Sequence, residues 1–97
     1  MNIRVDNIIR IIATEFHQIF DVNVSLRLFG SRANKTENQY SDIDLAIQHT
    51  QQLDANKMRK FKNFIDNIPT LYSIDLVDIS YANAELKKQI KHNSILL

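Results

Sequence analysis

Cysteine is missing from the 97-residue chain, which excludes disulfides and thiolate-held metal sites and agrees with a reducing compartment. Hard cations bound through oxygen remain open to it. An excess of charge of either sign is missing as well: the 24% charged residues nearly cancel to a formal net charge of +1. There is then no global field to draw the molecule onto nucleic acid or an anionic membrane, and any phosphate recognition has to be local. No window approaches the ~18 apolar residues that a membrane-spanning helix requires. The N-terminus also lacks a basic segment followed by an apolar run and a small-residue cleavage site. A cytoplasmic protein is expected, with no membrane and no direct nucleic-acid partner. Glycine is the sharpest scarcity, for the chain has one, Gly30, inside the stretch LFGSRANKTENQYSDIDLAI at residues 28–47.

With 44% hydrophobic residues, the length suits one small domain over residues 1–97, with a core of its own and no room for a second. From Asp6 to Phe20, Ile8, Ile11, Ile12, Phe16, Ile19 and Phe20 recur at three- and four-residue steps, the stripe of an amphipathic helix with Asp6 as a possible cap. VNVSLRLF alternates, with Val22, Val24, Leu26 and Leu28 on one face, and reads as a half-buried strand running into a turn at Gly30. SRANK has the makings of one helical turn. SDIDLAI is a second strand, in which Ile43, Leu45 and Ile47 share one face and Asp42, Asp44 and Ala46 the other. A second helix follows from Asp54, its N-cap, along Met58, Phe61, Ile65 and Ile68 to Pro69. LYSIDLVDI makes a third strand, Asn83 to Lys91 a last short helix, and SILL a terminal strand or a docking tail. The expected class is α/β (α+β), in the order α-β-β-α-β-α, with helices packed on a small mixed sheet.

Aspartate is disfavoured within strands, and Asp42 and Asp44 stand only ~6.6 Å apart at their Cα atoms on one face. At an effective dielectric near 20, two such charges ~4 Å apart repel by about 4 kcal/mol, a burden that a bound cation removes. Mg²⁺ suits the pair, because it takes one or two carboxylates and completes its shell with phosphates and water. A third acid comes from IDLVDI. Asp75 lies inside the strand beside Val77 and Ile79 and needs a partner, whereas Asp78 is near the end, free to cap the next turn, so Asp75 is the favoured third ligand. In a chain whose other turns use Asn, Asp, Ser and Pro, a lone glycine before a serine marks a place where backbone comes close to something bulky. Amides opening a helical turn, with the Ser31 hydroxyl, suit a phosphate oxygen, and Arg32 and Lys35 stand near enough to add charge.

Phe29-Gly30-Ser31, ten residues, then Asp42-Ile43-Asp44-Leu45 resembles the signature of the nucleotidyltransferase superfamily that includes DNA polymerase beta and kanamycin nucleotidyltransferase. The longer string, with IDLVDI some thirty residues on, is similar to the minimal nucleotidyltransferases, the MNT or MntA-like proteins. The resemblance runs from the first helix to the last. It implies that Gly30 and Ser31 hold the triphosphate of a nucleotide, ATP foremost, with help from Arg32. It implies also that Asp42, Asp44 and Asp75 bind two Mg²⁺ ions beside an attacking hydroxyl. The chain departs from the family string at Asn34 and Lys35, where many relatives carry another arginine and a second glycine. Larger relatives add a helical domain that holds the acceptor, for which 97 residues leave no space. Minimal members pair instead with a separate helical HEPN protein, often as antitoxin to its toxin, and attach AMP to a tyrosine of it. The resemblance thus implies a protein adenylyltransferase in a hetero-oligomer. Two other readings are a binding antitoxin whose metal site is vestigial, and a catalytic subunit that modifies a small molecule.

Other features read more plainly. His17, His49 and His92 show no ligand spacing and are expected at the surface; Tyr40 either stacks on a base or packs on its own domain. Phe61, Phe64 and Ile65 are core candidates, the alternative being a partner-binding helix face because Phe64 lies off the main stripe, and KMRKFK at residues 57–62 reads as a solvated helix face.

Overall fold

The computed structural model describes residues 4–34 and 41–97, so that the expectations for Lys35 and Tyr40 fall outside the described residues. Helix α1 spans Val5–Ile19, α2 Ala55–Asp66 and α3 Ala84–His92; strands β1 Val24–Phe29, β2 Ile43–His49, β3 Ile74–Asp78 and β4 Ile95–Leu96 form one sheet in the order β3-β2-β1-β4. β1 is antiparallel to both β2 and β4, while β2 and β3 run parallel. Parallel neighbours need a crossover, and α2 supplies it. SILL is therefore a strand, with Leu28 paired to Ile95 and the Leu97 amide donating to the Leu26 carbonyl at 2.9 Å.

The core follows from the two periodicities. Ile8, Ile12 and Phe16 of α1 and Phe61 and Ile65 of α2 cover Leu26, Leu28, Ile43, Leu45 and Ile47 on one face of the sheet. Phe16, Phe20 and Phe61 meet with ring centroids 5.0 to 5.9 Å apart, a separation at which edge and tilted contacts add to simple burial. The other face is covered too: α3 lays Leu86 and Ile90 on Phe29, Ala46 and Val77. The acid-bearing face of β2 is thus apolar and covered at Ala46, and open at Asp44, where the strand begins, and again at Gln48 near its end.

Several local expectations are corrected. Asp6 does not cap α1, which starts one residue earlier; its carboxylate accepts from the Asn7 amide at 3.0 Å and pairs with Arg4 at 3.3 Å. Asp54 does cap α2, accepting from Asn56 N at 2.8 Å and Lys57 N at 3.2 Å, a contact typically worth about 1 kcal/mol. Asn83 caps α3 through Leu86 N at 2.8 Å. Val22 is 99% exposed in the turn before β1, and Leu71 is 96% exposed in the bend before β3, both outside the strands that the sequence assigned them to.

His49 is not a surface histidine. It ends β2 beside the end of β3, where Nδ1 faces the Gln51 carbonyl at 2.6 Å and Nε2 faces both oxygens of Asp78 at 2.9 and 3.0 Å. Its side chain is 13% exposed and that of Asp78 is 15% exposed. With acceptors at both ring nitrogens the imidazolium form is favoured, and the Gln51 carbonyl, then Asp78, raise its pKa against the opposing effect of burial. Burial pushes Asp78 up, but the Ser80 hydroxyl and amide, with His49, outweigh it and hold the carboxyl below its usual range. A raised histidine pKa contributes stability that is complete below the ordinary histidine value and lost as pH rises through the folded value. In urea unfolding between pH 5 and 9, the margin of the wild type over His49→Gln should be widest at pH 5 and shrink towards pH 9.

Candidate active site

The strand directions decide where the polar residues meet. β1 ends, and β2 and β3 begin, at the same end of the sheet, so Gly30, Asp42, Asp44 and Asp75 collect there. In the β2–β3 register Asp44 lies directly opposite Asp75, and across the β1–β2 pair it lies opposite Phe29, the residue before the glycine. Asp42 and Asp75 are exposed and Asp44 is half-buried. Partial burial raises the Asp44 pKa first, and the nearby charges of Asp75 and Asp42 add to it in that order. All three carboxylates therefore share one electrostatic site. Asp78, set opposite Ile47 at the far end of the sheet, belongs to the His49 contact and caps the turn at Ser80.

Gly30 opens a single 3-10 turn over Gly30–Arg32, whose Ala33 and Asn34 amides both return to its carbonyl. Its φ of +76° is a left-handed value that costs other residues about 1–2 kcal/mol. A Cβ added there would also collide with the Asp44 Oδ2. The bulky group against the glycine backbone is thus in the first place the protein's own carboxylate. Glycine is needed so that the turn and the half-buried acid can occupy the same corner.

Arg32 ends that turn and points back into the protein. Its Nε and Nη2 donate to the Ser41 carbonyl at 3.2 and 2.7 Å, and the guanidinium carbon lies 5.3 Å from the centre of the Tyr72 ring. The reading of LYSIDLVDI as one strand missed Tyr72, which lies before β3 begins; no periodic signal in the sequence links it to Arg32.

Among the described residues no three His, Asp or Glu side chains close into a metal cage of their own. A Mg²⁺ site does not require one, because substrate phosphates and water complete its octahedron. An all-oxygen donor set, with Asp44 destabilised as an anion by partial burial and then by its two neighbours, fits a hard divalent cation. Among the described residues no helix is long and apolar enough to cross a membrane.

The family model for polymerase beta nucleotidyltransferases matches residues 8–97. Solved structures share the fold. A toxin–antitoxin complex with AMP-PNP contains a chain 23% identical, with 96% of this chain and 72% of that one covered and a TM-score of 0.59. A mutant of the MntA–HpeT toxin–antitoxin is 25% identical over 99% and 72%, with a TM-score of 0.57. A tri-AMPylated Shewanella oneidensis HEPN toxin bound to its MNT antitoxin matches at 20% identity over 90% and 69%, with a TM-score of 0.52. No curated protein sequence matches the chain.

A raised carboxyl pKa means that the native state holds an extra proton just above the ordinary aspartate range, and that ionisation at higher pH costs stability. Metal-free Asp44→Asn should therefore melt above the wild type at pH 7. The difference should vanish as the pH falls below the ordinary aspartate range, as scanning calorimetry across pH 3 to 7 would show.

Proposed function

The chain belongs to the polymerase beta nucleotidyltransferase family, and from that premise we propose that it is a Mg²⁺-dependent adenylyltransferase that transfers AMP from ATP to a HEPN-type protein partner, as the antitoxin of that partner. One observation carries the site: Asp44 stands opposite Asp75 on parallel strands, with Asp42 close enough to raise its pKa, beside a glycine turn that leaves room for all of them. Two structures of similar fold, a toxin–antitoxin with AMP-PNP and an AMPylated HEPN toxin with its MNT antitoxin, support the nucleotide and the partner.

In this reading Asp42, Asp44 and Asp75 hold up to two Mg²⁺ ions. Bound there, the cations would balance the clustered negative charge and act as Lewis acids on the phosphates. Gly30 and Ser31 present backbone amides and a hydroxyl to the triphosphate, so that recognition of the anion stays local, as a net charge of +1 demands. Asp75, exposed at the start of an edge strand, is the acid that an incoming hydroxyl group can reach. The hydroxyl oxygen bonds to the α-phosphorus as the bond to the bridging oxygen breaks. Pyrophosphate leaves with that electron pair, and the hydroxyl proton passes to a carboxylate oxygen of Asp75.

The test is incubation with Mg²⁺, ATP labelled in its adenosine and a HEPN-type partner. Label should appear on the partner and fall by about 10²-fold or more in Asp42→Ala. A wild type that transfers nothing, or an Asp42→Ala variant that labels as well, contradicts the proposal.

A further inference from the structure

The three segments that make up the site are far apart in sequence, and one side chain touches all of them. Arg32 belongs by its backbone to the Gly30 turn. Its guanidinium holds the carbonyl of Ser41, the residue directly before Asp42, nine positions along the chain. The same guanidinium lies over Tyr72. Tyr72 in turn precedes Ser73, whose carbonyl accepts from the Ile43 amide at 2.9 Å, where β2 and β3 first join, two residues before Asp75. Turn, first acid and third acid are thus referred to one planar group.

We propose that Arg32 is a positioning residue, a staple that sets Asp42 and Asp75 relative to the Gly30 turn, rather than a ligand of the triphosphate. The inference rests on the metal-site reading above. Its physical ground is that the Nε–Nη2 edge of the guanidinium is already engaged with a carbonyl, and its face with a ring within the ~6 Å at which a cation and an aromatic attract. A planar fork donates twice to one carbonyl while its face lies on the ring, and a lysine ammonium has neither the fork nor the face, although the two carry the same charge. Lysine substitution therefore separates the roles. A phosphate ligand keeps most of its effect as lysine, whereas a staple loses it.

The experiment uses Mn²⁺ alone, with no nucleotide, titrated by electron paramagnetic resonance into the wild type, Arg32→Lys, Tyr72→Ala and the double variant, each checked for folding by circular dichroism. Groups that orient metal ligands without touching the metal typically contribute 10–100-fold in affinity, so Arg32→Lys and Tyr72→Ala should each weaken Mn²⁺ binding by about 10-fold. The double variant should fall well short of the product of the two, because both changes break one unit. Wild-type affinity in Arg32→Lys, or a defect that emerges only when ATP is added, overturns the staple and makes Arg32 a phosphate ligand. Multiplicative effects in the double variant overturn the shared unit. A wild type that binds no Mn²⁺ even when ATP is added refutes the metal site itself, and the staple with it.

Discussion

Three carboxylates at the open end of one sheet are the constraint around which the rest of the structure is arranged. The parallel register places Asp44 against Asp75, so those two cannot separate without breaking the strand pair, and Asp42 stands directly before β2, one residue ahead of its first position. Repulsion among them is carried in the fold, where it raises the Asp44 pKa together with partial burial. The apolar halves of the same strands offset that cost. Ile43, Leu45 and Ile47 lie under α1 and α2, and Ala46, directly beyond Asp44 on its own face, lies under α3. At the opposite end of the β2–β3 pair, His49 and Asp78 pair with each other, whereas Asp44 and Asp75 at the near end carry like charges.

This polarity gives the sheet two different ends. Where β1 leaves and β2 and β3 enter, negative charge gathers beside a turn of backbone amides. Such an arrangement suits a cation beside an anion, the combination that a metal-bound nucleotide would supply on the proposed reading. At the other end the ionisable groups satisfy each other, and there is no comparable demand for a ligand. The family of the chain is consistent with that division of labour, which arises from strand direction before any single side chain is considered.

Much of this was legible in the sequence where the signal was local. The stripes Ile8-Ile12-Phe16 and Phe61-Ile65, the cap at Asp54 and the alternation through Ile43, Leu45 and Ile47 each depend on neighbours within a few residues, and each is present. The glycine was legible as a special position, but not its immediate reason, since the carboxylate that crowds it comes from fourteen residues away. Val22 and Leu71 were drawn into strands by their β-forming character, and only tertiary cover decides that they stay outside. His49 with Asp78, and Arg32 with Ser41 and Tyr72, join segments brought together by the sheet; pairings of that kind leave no trace in periodicity or spacing.

On the proposed reading, Asp42, Asp44, Asp75 and the Gly30 turn form one metal–nucleotide site. A crystal structure of the chain grown with Mn²⁺ and AMP-PNP, phased to show anomalous scattering from manganese, tests it most directly. The account predicts manganese peaks at about 2.0–2.2 Å from oxygens of Asp42 and Asp44, Asp75 beside them, and the nucleotide's phosphates against the Gly30–Ser31 backbone. Manganese bound elsewhere, or a nucleotide seated away from that turn, would contradict it.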